Sequence, residues 1–428
     1  MRTLDGLGPR RQPLAQRLRI AGVGLAFVAA ACAGPKTQTG MAVGPRPAAP
    51  APVVVAAPTR APDAARNRVA LLVPMTGANA AVGQSIANAA TMALLDLGDT
   101  RINLQVYDTA AGGAGAAAAK AVGDGAKLFL GPLLAGDVRA VQGVASANGV
   151  PVLTFSNDAA LAGGGTFVMG FQPGQSIARV VAYARSRGVE RFAALVPSGV
   201  YGQRAGTAFL RAVEAAGGKA VAVTSYARTS AGLLAAARKL TDYDARHAAA
   251  AKTAALRPDG TIASVSHNLA PVGFQALLIA DSGSIAAAVA PALVQFGATP
   301  VLIMGTELWN SEPAIAQAPA LSGAVFAAVP DDRFHQLAVR YKAKFGGAPS
   351  RLASFGYDAV LLVNGVAGNG WATGAPFPRA GLSAAGGFTG IDGVFRFSGA
   401  GVAERGLEVE QVGPQGFTVV AAAPKALN

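Results

Sequence analysis

One cysteine, three histidines and two tryptophans in 428 residues exclude several classes of protein at once. A single thiol cannot form an intrachain disulfide, so no disulfide framework holds this fold. His247, His267 and His335 are scattered, with no HExxH string and no cysteine pair beside them, so a metal centre has no ligand set. Past the N-terminus every apolar run is broken by a charge, a proline or a glycine pair before the roughly 20 residues that a spanning helix needs. The 52% apolar content therefore belongs to buried strands and alanine-faced helices. Charge is sparse, and the formal +13 is unevenly placed. Residues 1–68 hold ten Lys/Arg against Asp5 and Asp63, while the rest carries 26 basic against 21 acidic side chains. No basic face interleaved with aromatics appears, and nucleic acid is not an expected partner.

Catalytic strings are missing as well. GQSIA, at Ser85 and again at Ser176, lacks the second glycine of GxSxG and opens ordinary helices, where serine is a common cap. No GxxxxGK exists. Gly113-Ala114-Gly115 with Ala118 mimics a dinucleotide loop but follows the second strand instead of the first. No catalytic residue, metal or cofactor is expected, and the chain is read as a non-enzyme.

What is present begins with a targeting signal. Arg10, Arg11, Arg17 and Arg19 precede the apolar stretch Ile20–Ala31, which stops at Cys32. A basic segment followed by an apolar run of this length reads as a secretory signal peptide, residues 1–31. Ala30 and Ala31 before the only cysteine resemble a bacterial lipobox, with Ala29 where leucine is usual; Cys32 is then the lipidated residue. Ala33, in place of aspartate, favours the outer membrane by resemblance to lipoprotein sorting rules. Residues 32–67 are Pro, Ala, Thr and Gly with no periodicity and cannot bury enough surface to order. Fully extended, such a tether reaches roughly 100 Å.

From Val69 the pattern alternates. Strands are expected at Val69–Pro74, Ile102–Tyr107, Lys127–Leu130, Pro151–Phe155, Phe192–Val196, Ala220–Tyr226, Phe274–Ala280 and Pro300–Met304. Helices fall between them: from about Gly83, at Gly115–Ala126, Asp137–Asn148, Gln175–Arg187, Gly206–Ala216 and around Ile285–Phe296. Such alternation implies right-handed parallel βαβ units with helices on both sheet faces. The pattern lapses over 241–273, read as an excursion that is helical to about Leu256. The repeated GQSIA fits two lobes of like topology.

The order of VALLVPMTG, GQSIANAATMALLDL, KLFLGPLLAGDV, VPVLTFSND, FVMGFQP and RFAALVPSGVYGQRAGTAFLRAVEAAGG resembles the type I periplasmic binding proteins, in the leucine-binding-protein-like branch. With the lipobox, the tether, the excursion after DYDAR and the closing FTGIDGVFRFSGAGVAERGLEVEQV, the chain is most similar to the penicillin-binding-protein activator lipoproteins. The resemblance implies a two-lobed α/β fold, each lobe a mostly parallel sheet flanked by helices, with a cleft between. Lobe one would combine 68–172 with 330–371, and lobe two 173–329 with 372–428.

Doubly wound folds bind ligands at the carboxyl ends of their strands. That rim offers Thr76, Gly77, Gly131, Pro132, Ser156, Asn157 and Asp158 from lobe one, and Tyr201, Asp281 and Glu307 from lobe two. By resemblance to the amino-acid binders, Glu307 matches the acid that meets a ligand's ammonium and Tyr201 an aromatic lid. The lobe-one half departs: Leu133 and Leu134 follow Gly131-Pro132 where a hydroxyl is usual, and Asp158 would repel an α-carboxylate. Two functions follow as expectations. One is an activator that binds a peptidoglycan synthase; the other is a substrate-binding lipoprotein that serves an ABC permease and carries branched-chain amino acids or a related solute. In both, the lipid anchor holds the protein to the membrane.

Overall fold

The computed structural model describes residues 66–253, 269–368 and 370–427. The expected signal peptide, Cys32, the tether up to residue 65 and residues 254–268 of the excursion lie outside the described residues.

In chain order the first lobe runs β1 (Asn67–Val73), α1 (Ala80–Leu97), β2 (Ile102–Asp108), α2 (Ala114–Gly123), β3 (Leu128–Leu130), α3 (Ala135–Ala147), β4 (Val152–Thr154) and β5 (Thr166–Val168). The second continues α4 (Pro173–Ser186), β6 (Arg191–Pro197), α5 (Val200–Ala215), β7 (Lys219–Tyr226), α6 (Ser230–Leu240), α7 (Tyr243–Thr253), β8 (Ala276–Ile279), α8 (Gly283–Gln295), β9 (Leu302–Gly305) and β10 (Val325–Ala328). Then come α9 (Asp332–Phe345), α10 (Ala353–Ala367), β11 (Phe388–Gly390), β12 (Gly393–Phe397), β13 (Ala403–Arg405), β14 (Glu408–Gly413) and β15 (Gly416–Ala421).

The first sheet is parallel, in the order β2-β1-β3-β4-β5. The second repeats that order as β7-β6-β8-β9-β10 and adds β14 and β15 antiparallel at its far side. Strands covered on both faces read as continuous apolar runs, which is why β1 is buried at every position except Arg68. In lobe one α1, α9 and α10 pack one face and α2 with α3 the other. In lobe two α4 and α5 take one face and α6 with α8 the opposite one.

The two lobes share a steric device. A Cβ at Gly83 of α1 would run into the Pro74 carbonyl, and one at Gly202 of α5 into the Pro197 carbonyl. In each lobe the helix after the first strand starts hard against that strand's closing proline. The GQSIA repeat marks something else: Gly83 lies after the first strand of its lobe, whereas Gly174 lies in α4, before the first strand of its own. α5 begins at Val200, earlier than expected, and so carries Tyr201 in its first turn.

The expected final return to lobe two at residue 372 is corrected by the packing. Trp371, Phe377, Leu382, Ile391, Phe395, Phe397 and Ala403 all lie in the core of lobe one. Phe397 meets Phe167 edge-on, and Val168 bridges to Val402, so the small β11–β13 sheet is anchored to β5. The aromatic alternation of β12 needs that apolar face, and the chain crosses back only between β13 and β14.

The lobes therefore meet at three chain crossings, at 169–172, 329–331 and 405–408, and one buried ionic cluster touches each of them. Arg351 Nη1 donates to Asp392 at 2.8 Å and its Nη2 pairs with Asp331 at 2.9 Å. Arg405 stands 3.9 Å from Asp392 and donates to the Met169 carbonyl at 2.7 Å. The Arg405 guanidinium also lies over Phe171, Phe355 and Phe395. Ser354 completes Asp392, and Asn310 of lobe two donates to Asp331. Deleting one member strands its partners in apolar surroundings, so Arg405→Ala should lower unfolding free energy by about 3–5 kcal/mol. Arg238→Ala, which removes an exposed pair with Asp244, should leave the denaturation midpoint nearly unchanged. Equal effects in urea titrations would contradict this reading of the cluster.

Candidate functional site

A cavity of about 500 Å³ lies between the lobes. Lobe one supplies Asn79 and Val82 from the α1 region, Leu133 and Leu134 after β3, Phe155 and Asn157 after β4, and Ser350, Arg351, Leu352 and Phe355 at the start of α10; lobe two supplies Glu307, Leu308 and Ser311 after β9. Phe171, on the first crossing, closes its base and packs on Phe355 at 4.6 Å. Most of that wall is apolar. The Arg351 guanidinium is taken up by Asp331 and Asp392, which leaves Glu307 as the ionisable group not already ion-paired there, among the described residues.

Glu307 opens a 3₁₀ turn, Glu307–Ser311, directly after β9. The Ser176 hydroxyl of α4 lies within hydrogen-bond reach of both the Glu307 carboxyl and the Pro173 carbonyl, with one proton to donate between them. Burial pushes Glu307 up to about 7, against the opposing effect of the Ser176 hydrogen bond. Tyr201 sits nearby with its phenol pushed upward by burial and by the Glu307 charge. The hydroxyls of Tyr201 and Thr306 are close enough to influence each other, yet neither makes a hydrogen bond of ordinary geometry among the described residues.

The other expected rim residues separate into those that line the cavity and those already engaged. Asn157 lines it. Asp158 does not: its side chain is 4% exposed and is held by Arg139 at 3.1 Å and by Arg204 of lobe two at 3.0 Å. It also accepts from Ala160 N–H and so caps the turn Ala159–Leu161. Ser156 accepts from the Asp158 N–H. Asp281 receives a two-pronged Arg228 contact at 2.8 and 2.9 Å and the Tyr226 hydroxyl at 2.8 Å. Thr76 donates to Asp108, which ties the turn containing Gly77 to the loop after β2. Burial opposes ionisation of Asp108, but donors from Thr76, Ala110 and Met75 outweigh it and pull the group down to about 2. Gly131 lies against the Leu72 carbonyl with φ +87°, a place for glycine alone, and the Pro132 carbonyl accepts from Thr154.

Sequence reasoning missed Ser176, Arg139, Arg204 and Arg351. Ser176 carried a signal in its GQSIA string; the arginines carried none, because each finds its acid in a distant segment.

A family model described as periplasmic binding protein matches residues 67–416. The chain belongs to the periplasmic binding protein family. Solved structures of like fold include a putative branched-chain amino acid ABC transporter protein from Rhodospirillum rubrum, 20% identical, with a TM-score of 0.67 over 83% of this chain and 100% of that one. The C-domain of LpoA from Haemophilus influenzae, described as a regulator of PBP1A, is 20% identical, with a TM-score of 0.60 over 83% and 100%. Leucine binding protein LivK from Thermotoga maritima is 19% identical, with a TM-score of 0.55 over 83% and 98%. At such identities these likenesses carry the fold, which is the type I periplasmic-binding-protein fold. An uncharacterised protein of Rickettsia prowazekii is 32% identical over 136 residues, 32% of this chain; the match spans about a third, 36%, of that relative's length.

Three buried acids set a pH signature. Burial raises Glu307 to about 7; burial and then the Asp331 and Glu408 charges raise Glu410 to about 8; burial and then Asp392 raise Asp358. Each binds a proton in the folded state at a pH where the unfolded chain has released it, so stability grows as pH falls from about 8 towards 5. Asp108 acts oppositely, and its contribution is lost as pH drops from about 4 towards 2. The melting temperature should therefore peak near pH 5, and Glu307→Gln should flatten the rise between pH 8 and 6. A melting temperature that falls steadily from pH 8 to 5 would contradict the assignment.

Proposed function

We propose that this is a lipid-anchored envelope protein that acts as a penicillin-binding-protein activator, regulating peptidoglycan synthesis by binding a synthase and carrying out no catalysis itself. Cys32 is the anchor, in the outer membrane, and the segment from Cys32 to residue 65 is the tether that lets the body reach across the periplasm, since Asn67 already belongs to β1. The single observation that carries the reading is the lobe-one wall of the cleft. Leu133 and Leu134 line it where a zwitterionic ligand would need donors, and Asp158 is spent on Arg139 and Arg204. A lobe-one wall with leucines after β3 and a tied Asp158 supports a binding-protein body whose outer surface serves a protein partner. The regulator LpoA shares the fold, which is compatible with that use.

The second reading, a substrate-binding lipoprotein serving an ABC permease, is favoured by one feature. Glu307 presents an acid to an apolar cavity of about 500 Å³. It suits a solute with one donor and an apolar body better than a free amino acid.

Affinity purification of the full chain from detergent-solubilised envelopes should recover a peptidoglycan synthase; recovery of an ABC permease alone would sink the first reading. Cys32→Ser should move the protein from the membrane fraction to the soluble periplasm. Retention of the serine variant in the membrane fraction would sink the anchor.

A further inference from the structure

The outer face of lobe two carries a surface used by neither the cleft nor the crossings. β7 ends its sheet: it pairs with β6, and no described strand lies on its other side. The pairing skips a residue between Ala220 and Ala222, so regular extension of the sheet is open from Ala222 to Tyr226. An uncovered strand edge presents unpaired N–H and C=O groups and is a template for another strand.

Beside that edge runs α5, whose glycines leave room. A hollow of about 390 Å³ lies between them, lined by Gly202, Gly206, Thr207, Val223 and Ser225 among others. A second, of about 320 Å³, shares Gln203 and Thr207 with it and reaches Arg204 and Arg211. Val200 and Leu210 of α5 and Val221 and Val223 of β7 are 63%, 48%, 38% and 40% exposed. Arg211 and Lys219 are exposed and make no ion pair among the described residues. The surface thus joins an open strand edge, an apolar hollow and unpaired positive charge.

We propose that this surface docks an extended acidic segment of the protein partner, added as a further strand on β7. Its apolar side chains would fill the α5–β7 hollow and its carboxylates would face Arg211 and Lys219. Strand addition draws affinity from main-chain hydrogen bonds and specificity from alternate side chains. Charge selects the occupant. A second copy of this chain would offer no carboxylate from its own β7, Lys219–Tyr226, to face Arg211 and Lys219, whereas an acidic strand would. The inference rests on the partner-binding reading above and names where that partner engages.

The test uses the full chain with two synthetic peptides of about six residues, alternating valine with glutamate or valine with lysine. The glutamate peptide should bind saturably in fluorescence anisotropy and slow amide exchange at Ala222–Tyr226, and the lysine peptide should not. Arg211→Glu and Val223→Lys, both at exposed positions, should each weaken binding by about tenfold or more, with unchanged melting temperatures as the folding control. Equal binding of both peptides, no binding of either, or unchanged affinity in both variants would overturn the proposal. A dimer in sedimentation that Val223→Lys abolishes would overturn it in favour of self-pairing. Synthase recovery that survives both substitutions sinks this surface and leaves the function standing. Glutamate-peptide binding at β7 with no synthase recovered by the native chain supports the surface and sinks the partner's identity instead.

Discussion

The lobes hold their relation through two buried arginines set between acids and aromatic rings. Arg405 and Arg351 share Asp392, Arg351 adds Asp331, and Arg405 reaches the Met169 carbonyl. Met169, Asp331 and Arg405 each lie on a different chain crossing. Taking such charges out of water is costly, so a buried cluster of this type adds little net stability even though deleting one member is destabilising. The aromatic faces of Phe171, Phe355 and Phe395 supply what Asp392 alone does not, since Arg405 Nε and Nη1 have no hydrogen-bond partner among the described residues. The same Phe171, Phe355 and Arg351 line the cavity, so its base and the junction between lobes are one structure.

That shared construction decides what the cleft can be. Its base is aromatic, and its lobe-one wall is mostly apolar, with Asn79, Asn157 and Ser350 among leucines and phenylalanines. Asp158 joins Arg139 of its own lobe to Arg204 of the other, so a residue that sequence placed beside a ligand works as a tie between lobes. Glu307 stays as a lone acid with a serine partner, raised towards neutrality because little else stabilises its charge.

The fold was legible in the sequence because parallel strands covered on both faces must be short and wholly apolar, as in VALLVP, LFL and ALLI, with helices of matching length between them. The lobe assignment of 372–405 was not, because Phe388, Phe395 and Phe397 show a strand without showing which core receives it. α6 went unassigned although Leu233, Ala236, Ala237 and Leu240 recur at helical spacing and are buried on one face. At the site, Glu307 and Asn157 were legible from their place after β9 and β4. Asp281 and Asp158 looked equally available, and only the positions of Arg228 and Arg204, each brought in by another element, show them occupied. The pairing of Arg351 with Asp331 and Asp392 is likewise a product of the crossings and leaves no local pattern.

The central proposal is that this cleft does not take up a free amino acid. Isothermal titration of the purified full chain with leucine, isoleucine and valine tests it most directly. The account predicts no saturable heat for any of the three, since Leu133 and Leu134 line the cavity after β3 and Asp158 is held by Arg139 and Arg204. Micromolar binding of any of them, abolished by Glu307→Gln, would contradict it.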